Sequence, residues 1–339
     1  MKSAALLTAI ATALLTFNVS AANLQGAGST FSEALYKKWS SRYQAEAGSG
    51  IDYSAIGSGE GIAQVGAKKV DFGASDEPLK RDELEQKGLR QYPVALGAVV
   101  PVVNLPGVPA GQIKLNAELL AKIYLGRIRR WSDGDIAALN DGVKLPDLPI
   151  KPIYRADASG SSFVFSYYLS ALSPEWKNGP GVNRQLKING GEAANGNEGM
   201  VAALKRTPGA IAYVDFGRVQ QDRLNPVQLP NRVGIHMKPS AESIQAAAKY
   251  DAEKLIYSAD PDFYLVLANN DTYNGWPLAT ATFALLPRSG APKMLDFLRW
   301  AYRNGDAPMR EAGYVPLSDS MKAGVRKAWA RQFNYHPAP

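Results

Sequence analysis

Short apolar runs that suit β-strands alternate along the chain with stretches whose apolar residues recur at helical spacing. The run at residues 98–103 is continuously apolar, as expected for a strand that is buried on both faces. Other strands are predicted at residues 51–56, 70–74, 150–154, 210–214, 264–268 and 282–286. Helices are predicted at residues 32–43, 116–124, 133–139, 163–172, 240–257, 293–304 and 318–333. This alternation predicts an α/β fold.

Local sequence patterns indicate where three of these helices begin or end. Thr30 with Glu33, and Ser132 with Asp135, have the spacing of a capping box, so each pair is expected to begin a helix. Gly305 follows the helix at residues 293–304 and is expected to end it.

The division of the chain into domains is expected to be discontinuous. A chain of 339 residues is long enough for two domains of ordinary size. No linker rich in proline, glycine or serine divides it once near the middle. We therefore expect two lobes, with the chain crossing between them near residues 92–94 and again near residues 280–283.

Residues 1–21 have the organisation of an export signal. Lys2 supplies the basic beginning, residues 4–17 form the apolar core, and cleavage is expected near Ala21/Ala22, where the residues are small. The apolar run is too short to span a bilayer as a stable helix. The mature protein is therefore expected to be exported and soluble.

The composition excludes several kinds of site. The chain has no cysteine and two histidines, His236 and His336, so we expect no zinc, haem or iron–sulfur site, no cysteine nucleophile and no Ser-His-Asp triad. Carboxylates could hold calcium or magnesium, but the chain lacks a D-x-[DN]-x-[DN]-G loop, and we expect no metal site. The net charge of +7 is dispersed, with one tight basic group at residues 127–130. That dispersal argues against a nucleic-acid-binding surface and leaves a basic protein that attracts small anions.

Four junctions with glycine and hydroxyl residues at a helix start carry the candidate chemistry. Backbone N–H groups and hydroxyls at helix starts, together with the planar guanidinium of Arg155, suit a tetrahedral oxyanion. Each junction alone is more typical of a helix cap. Four of them, beside one arginine and two aspartates, predict an anion-binding site. The junctions are residues 26–31 (Gly-Ala-Gly-Ser-Thr-Phe), 57–61 (Gly-Ser-Gly-Glu-Gly), 73–78 (Gly-Ala-Ser-Asp-Glu-Pro) and 155–162 (Arg-Ala-Asp-Ala-Ser-Gly-Ser-Ser).

These segments resemble the PstS family, the periplasmic phosphate-binding proteins of the phosphate ABC transporter. The resemblance runs in the same order over nearly the whole mature chain, and it extends to residues 70–76, 123–126, 196–199, 208–214 and 276–277. It implies a two-lobe type II periplasmic-binding (Venus-flytrap) fold, in which each lobe has a central mixed sheet flanked by helices. We expect lobe I to comprise residues 22–94 plus 283–339, and lobe II to comprise residues 95–282.

The resemblance also implies which residues bind phosphate. They are Thr30, Phe31, Ser58 and Asp76 from lobe I, and Arg155, Asp157, Ser159, Gly160 and Ser161 from lobe II. Thr30 would use its backbone and hydroxyl, and Phe31 its backbone N–H. Asp157 would orient Arg155. No residue is expected to be catalytic, and no cofactor is implied.

Two positions depart from the family's usual pattern. Ser161 stands where threonine is usual, which keeps the hydroxyl. Glu60 stands beside the expected mouth of the site, where small residues are usual. An acid is favourable in the first turn of a helix, which is the simpler interpretation of Glu60. The alternative is an altered affinity or ligand.

The expected function is high-affinity binding of inorganic phosphate in the periplasm and its delivery to an importer, by closure of the lobes. Asp76 would accept the hydrogen that phosphate carries at neutral pH, and it would repel sulfate, which carries none. The expected partners are inorganic phosphate and the membrane permease subunits of a phosphate ABC transporter, and the protein is expected to be a monomer that binds no nucleic acid. The alternatives are a secreted phosphatase and a binding protein for another oxyanion or a phosphonate.

Overall fold

The computed structural model describes residues 22–256 and 262–336, and in these ranges helices alternate with strands as an α/β fold requires. The expected export signal at residues 1–21 and the last residue of the helix expected at 240–257 lie outside the described residues. In the two described ranges, no helix has both the length and the apolar character that crossing a membrane requires. The predicted fold class is confirmed.

Most strands join one mixed sheet in the order β2-β1-β3-β11-β4-β7-β5-β6, with β8 beside β4, while β9 and β10 form a separate pair. The strands are β1 (Leu24–Gly28), β2 (Ile51–Ala55), β3 (Phe72–Ser75), β4 (Leu89–Val103), β5 (Lys151–Arg155), β6 (Glu192–Ala194), β7 (Ala210–Asp215), β8 (Asn225–Pro226), β9 (Leu229–Pro230), β10 (His236–Met237) and β11 (Ala279–Pro287). Strands β1 to β3 form a parallel group, and β5 to β7 form another. Strands β4 and β11 lie between the two groups and run antiparallel to their neighbours.

The helices pack against both strand groups. They are α1 (Glu33–Ala47), α2 (Ser58–Gly66), α3 (Arg81–Gln86), α4 (Ala117–Tyr124), α5 (Gly134–Leu139), α6 (Gly160–Leu172), α7 (Pro174–Asn178), α8 (Gly196–Arg206), α9 (Phe216–Gln221), α10 (Ala241–Ile256), α11 (Pro292–Asn304), α12 (Asp306–Glu311) and α13 (Asp319–Phe333). Helices α1 and α2 contact the first group, and α6 and α8 contact the second. Helix α10 contacts β4, β11 and α13.

Strand β4 is longer than the apolar run that predicts it. It begins nine residues before residue 98, at Leu89, and every residue in it except Arg90 is buried. Its beginning pairs with β11 and its end pairs with β7. Strand β4 therefore joins the second group to β11, which in turn pairs with β3 of the first group.

The pairing of β4 with β11 contains one irregularity beside Pro93. Pro93 pairs with Phe283, but the next pair joins Ala95 to Thr282, so the register skips Val94. Proline has no N–H to donate to the ladder, and a bulge beside it accommodates that loss. The irregularity lies where the sequence analysis expects the chain to cross between lobes.

The strand predicted at residues 264–268 is wrong. The segment has no regular secondary structure, although Leu265 and Leu267 are buried. Alternating apolar residues specify an extended chain with one buried side. A β-strand also needs a neighbouring strand whose backbone N–H and C=O groups are free to pair with it. In the described residues, no strand of either sheet pairs with residues 264–268.

Both predicted capping boxes are wrong. Helix α1 begins at Glu33 with Ser32 at its N-cap, so Thr30 lies in the loop before the helix. Helix α5 is capped by Asp133, which accepts from the backbone N–H of Asp135 at 3.0 Å. An acid one residue later satisfies the same backbone donors, and spacing alone does not distinguish the two.

Gly305 ends α11 as predicted, but for a different physical reason. Its φ is −86°, a conformation open to any residue. The constraint is space, because a Cβ at Gly305 would come within 2.5 Å of Trp39 Nε1. Trp39 Nε1 donates to the carbonyl of Gly305 at 2.9 Å, so the glycine lets α1 approach the end of α11.

The tryptophans pack in the interior. Trp131, Trp176 and Trp276 are fully buried, and Trp300 is partly buried against the same core. A stacking platform for a sugar requires exposed rings, so these residues do not support a carbohydrate site.

Candidate functional site

The loop between β1 and α1 supplies the first part of the site. Thr30 Oγ1 is buried and has no hydrogen-bond partner among the residues that the structure describes. The backbone N–H of Phe31 donates to Ser29 Oγ at 3.0 Å, and Ser29 Oγ donates to Asp76 Oδ2. The hydroxyl of Thr30 is thus available to a ligand, whereas the N–H of Phe31 already donates within the loop.

Ser58 stands at the start of α2 and contacts the second strand group. Its Oγ accepts from the backbone N–H of Gly160 at 3.1 Å and from that of Asp76 at 3.4 Å. Because a hydroxyl can accept twice and donate once, the hydrogen of Ser58 remains available. Gly57 precedes it with a φ of 96°, and a Cβ there would lie 2.6 Å from Asp157 Oδ2, so this position requires glycine.

Asp76 follows β3 and is 1% exposed. Its Oδ2 accepts from Ser29, but its Oδ1 has no partner in residues 22–256 and 262–336. Burial raises the pKa of Asp76 to about 6, although the hydrogen bond from Ser29, the nearby hydroxyl of Thr282 and the charge of Arg155 act in the opposite direction. A buried acceptor without a donor is costly, so Oδ1 is suited to a hydrogen that a ligand supplies.

Arg155 ends β5 and is almost fully buried. Its Nε donates to Asp157 at 2.7 Å, its Nη2 donates to the same carboxylate, and its Nη1 donates to Asn197 Oδ1 at 3.0 Å. A guanidinium has five N–H donors, so these bonds leave two for a ligand.

Asp157 holds Arg155 as a charged partner. Burial by itself would raise the pKa of Asp157, but the hydrogen bonds from Arg155 and from the backbone N–H of Gly196 lower it below its ordinary value. The predicted orienting contact between Asp157 and Arg155 is therefore present in the structure.

Asn197 connects Arg155 to a second buried acid. Its Nδ2 donates to Asp215 Oδ2 at 2.7 Å, and Asp215 also caps α9 by accepting from the backbone N–H of Arg218 at 2.8 Å. Asp215 is 4% exposed, and this burial raises its pKa to about 7. The sequence does not predict this network, because the resemblance implies no ligand role for residues 196–199 and the contacts of Asn197 with Arg155 and Asp215 are distant in sequence.

The beginning of α6 supplies the remaining predicted residues. Ser159 Oγ accepts from the backbone N–H groups of Ser161 at 3.1 Å and of Ser162 at 3.4 Å, as an N-cap does. Ser161 Oγ is buried and lacks a partner in the described part of the chain. A Cβ on Gly160 would lie 2.9 Å from Asp76 Cβ, so the start of α6 contacts the end of β3 directly.

These contacts bring the predicted site residues to one place between the two strand groups. We call Thr30, Ser58, Asp76, Arg155 and Ser161 the cradle. Most buried polar atoms in folded proteins have a hydrogen-bond partner. The unpartnered oxygens of Thr30, Asp76 and Ser161 therefore give the cradle unused hydrogen-bonding capacity. Three hydroxyls, a carboxyl and a guanidinium can together surround a small polar anion.

Glu60 lies outside the cradle. Its side chain is exposed in the first turn of α2, and its Oε1 accepts from Gln64 Nε2 at 3.1 Å. This placement agrees with the simpler interpretation, in which an acid is favourable near a helix N-terminus.

The cradle has no features of a metal centre. Across residues 22–256 and 262–336, no three side chains of histidine, cysteine, aspartate or glutamate form a group that could hold a metal ion.

Comparison with known proteins gives relatives over almost the full chain. The model of the PBP superfamily domain matches residues 16–304. The phosphate-binding protein PstS of Xylella fastidiosa is 39% identical over 315 residues, which cover 91% of this chain and 85% of that protein. The phosphate-binding protein PstS of Pasteurella multocida is 37% identical over 334 residues, which cover 97% of this chain and 96% of that protein.

Solved structures with the same fold are more distant in sequence. A DING protein superposes with a TM-score of 0.73 at 23% identity, covering 90% of this chain and 94% of that one. A high-affinity periplasmic phosphate-binding protein, solved with phosphate, superposes with a TM-score of 0.71 at 22% identity, covering 90% of this chain and 93% of that one. At these identities the likeness shows the fold, which is the expected two-lobe periplasmic-binding fold.

Proposed function

This chain belongs to the PstS family of phosphate-binding proteins, and from that premise we propose that its cradle binds inorganic phosphate for delivery to an ABC-type importer. The observation that supports the cradle as the binding site is the set of three buried, unpartnered oxygens in Thr30, Asp76 and Ser161 beside Arg155. Each of them can form a hydrogen bond with either an unprotonated oxygen or the P–O–H group of a protonated phosphate.

The cradle matches phosphate in charge and in hydrogen bonds. Arg155 is balanced by Asp157, so it contributes directed N–H donors with little net charge. The hydroxyls of Thr30 and Ser161 donate to unprotonated oxygens. Asp76 Oδ1 accepts the hydrogen of the P–O–H group. The hydrogen-bond donors and the one acceptor of the cradle thus replace the water molecules that phosphate loses when it binds.

We propose that phosphate is enclosed by closure of two lobes, residues 22–94 plus 283–339 and residues 95–282. Strands β4 and β11 would form the hinge, because β11 pairs with β3 of the first group, β4 pairs with β7 of the second, and the two strands pair with each other. Two bonds between the expected lobes support a closed arrangement: Gly160 N–H donates to Ser58 Oγ, and Gly59 N–H donates to the carbonyl of Ala158 at 3.0 Å. Phosphate bound to both sides would favour closure.

We propose that the protein acts in the periplasm as a monomer, after cleavage of residues 1–21 near Ala21/Ala22, and that it docks on the permease subunits of a phosphate importer. A closed form would signal occupancy to the permease. Mass spectrometry of the exported protein would locate the cleavage site.

A secreted phosphatase is the enzyme alternative, and it is not favoured. The chain belongs to a family of binding proteins, and the acids next to the cradle are engaged as an arginine partner and a helix cap.

Calorimetry of the phosphate-stripped protein tests the proposed function. Inorganic phosphate should bind tightly and sulfate should bind poorly. Arg155→Ala should weaken phosphate binding by at least about 100-fold, because it removes two charge-assisted donors. The absence of phosphate binding by the wild-type protein, or near-wild-type affinity of Arg155→Ala, would contradict the proposal.

A further inference from the structure

An ion pair outside the cradle joins the two expected lobes. Arg184, in the loop between α7 and β6, places its Nε 2.9 Å from Glu77 Oε2, next to Asp76 in lobe I. Its Nη2 lies 4.0 Å from Glu83 on α3. The side chain of Glu77 is 11% exposed and that of Arg184 is 31% exposed, so the carboxylate is largely shielded from solvent while the guanidinium is partly open to it.

The loop that carries Arg184 is fastened to the second lobe. The backbone N–H of Ser159 donates to the carbonyl of Arg184 at 3.0 Å. Asn183 on one side exchanges two hydrogen bonds with Ser166 of α6, at 2.9 and 3.0 Å. Gln185 on the other side donates to the carbonyl of Ala156 at 3.2 Å. The guanidinium is therefore mounted on the segment that forms the lobe II side of the cradle.

Glu77 is mounted equally firmly on the first lobe. Its backbone N–H donates to Ser75 Oγ at 3.1 Å, and Ser75 Oγ donates to the carbonyl of Glu77 at 2.7 Å. The carbonyl of the preceding Asp76 accepts from Thr280 Oγ1 of β11, one of the two proposed hinge strands, at 3.2 Å. Neither partner can follow the other if the lobes separate, so the ion pair exists only in the closed arrangement.

We propose that Arg184 and Glu77 form a latch that holds the lobes closed around the ligand without touching it. The latch rests on the proposed function, since closure is what it would stabilise. Its residues are positioning residues, because they act through the closed arrangement of Asp76 and Ser159. Removing the latch favours the open form, which raises both the dissociation rate and the dissociation constant of phosphate.

The two partners contribute unequally. Glu77 is the more buried, and its burial raises its pKa to about 7 against the opposing charge of Arg184, with Glu83 adding to the rise. Loss of Arg184 leaves a buried carboxylate with no cation, whereas loss of the charge on Glu77 leaves a guanidinium that solvent can reach. Arg184→Met should therefore have a larger effect than Glu77→Gln.

The first experiment measures phosphate binding by calorimetry and its release by stopped flow. At pH 8, Arg184→Met should raise the dissociation constant about tenfold, between the small effect of an exposed pair and the large effect of a buried one. The double variant Glu77→Gln with Arg184→Met should be no weaker than Arg184→Met alone. The control is Arg127→Met, which breaks an exposed pair with Glu175 and should leave binding unchanged.

The pH dependence separates a latch from a general structural defect. The groups around Glu77 are Arg184, Glu83 and Tyr264. At pH 6 Glu77 is mostly protonated, so loss of Arg184 should matter less than at pH 8. The ratio of the variant and wild-type dissociation constants at one pH cancels the titration of phosphate itself. A ratio of one at pH 8, or a ratio that does not fall at pH 6, would overturn the latch.

A distance measurement tests the latch independently of the ligand's identity. The chain has no cysteine, so Lys69→Cys in lobe I and Lys177→Cys in lobe II, both exposed positions, give two unique sites for spin labels. With Arg184→Met the long-distance population should increase at a fixed phosphate concentration. If the wild-type protein binds no phosphate, the proposed function is contradicted. The latch is then tested by comparing the distances in the phosphate-free protein with and without Arg184. Identical distance distributions with and without Arg184 would exclude it.

Discussion

At the scale of single residues, the cradle is defined by which polar atoms are engaged and which are free. Ser159 and Phe31 use the groups expected to bind phosphate in local hydrogen bonds, whereas Thr30, Asp76 and Ser161 keep a buried oxygen without a partner in the described residues. The sequence predicts all five of these residues as phosphate ligands without distinguishing among them. Only their contacts distinguish a ligand donor from a cap.

Asp76→Asn should narrow the preference for phosphate over sulfate by at least about tenfold. The amide can still accept from a P–O–H group or donate to an unprotonated oxygen, so phosphate affinity should change little, while sulfate no longer meets a buried negative charge. Calorimetry with both anions measures the effect. Unchanged discrimination would show that Asp76 does not select the ligand.

Asn197→Ala should weaken phosphate binding about tenfold, because Arg155 loses the acceptor of its Nη1 group and is held by Asp157 alone. Sulfate binding should weaken by the same factor, since both anions use the guanidinium. Binding isotherms for the two anions and a melting curve of the phosphate-free variant provide the test. A loss confined to one anion would argue against a positioning role.

At the scale of single elements, helix starts and glycines decide how closely the two sides meet. Helix α6 begins with Gly160 against Asp76, and α2 begins with Ser58 against Gly160. First-turn backbone N–H groups of both helices donate across the gap, from Gly160 to Ser58 Oγ and from Gly59 to the carbonyl of Ala158. The glycines at these starts are required by close approach between elements.

Gly160→Ala should raise the dissociation constant of phosphate by at least about tenfold, because a methyl group there would collide with Asp76 when the lobes close. The melting temperature of the phosphate-free protein should not fall, since alanine suits a helix start better than glycine does. Gly134→Ala is the matched control, because Gly134 also begins a helix but a Cβ there would meet nothing within 4 Å. Equal affinities of the two variants would refute the steric argument.

At the scale of the whole molecule, two shared strands connect two parallel groups, and buried acids lie where the groups meet. Burial raises the pKa of Asp76 to about 6, and of Glu77 and Asp215 to about 7. Each acid therefore binds a proton more tightly in the folded protein than in the unfolded chain. Between about pH 4 and pH 7 these groups lower the free energy of unfolding as the pH rises, and above that window their cost is constant.

Asp215→Asn should remove the part of this pH-dependent destabilisation that comes from ionisation of Asp215. The variant should gain stability relative to the wild type as the pH rises from 5 to 8, by on the order of 1–3 kcal/mol. Urea denaturation of the phosphate-free proteins across this range measures the difference. Asp133→Asn, at the less buried N-cap of α5, separates the loss of a cap from the effect of burial. If the difference in free energy of unfolding between Asp215→Asn and the wild type does not change with pH, ionisation of the Asp215 carboxyl does not destabilise the folded protein.

The amino-acid sequence by itself determined the class of the fold, most of its elements and the segments that form the site. Apolar periodicity identifies a strand such as β4, and glycine and hydroxyl residues mark junctions such as residues 155–162, because these signals are local. The same local signals misplaced the cap of α1 and suggested a strand at residues 264–268, because a cap and a strand depend on which donors and edges are already taken.

Only the tertiary structure decided how these segments meet. Asn197 joins Arg155 to Asp215, Ser29 binds Asp76, and Arg184 reaches Glu77, in each case across many residues of chain. Burial and charged partners together set the charge of the acids, since burial raises the pKa of Asp76 whereas the bonds from Arg155 and Gly196 lower that of Asp157. These properties depend on long-range contacts and on exclusion of water, which no local pattern in the sequence contains.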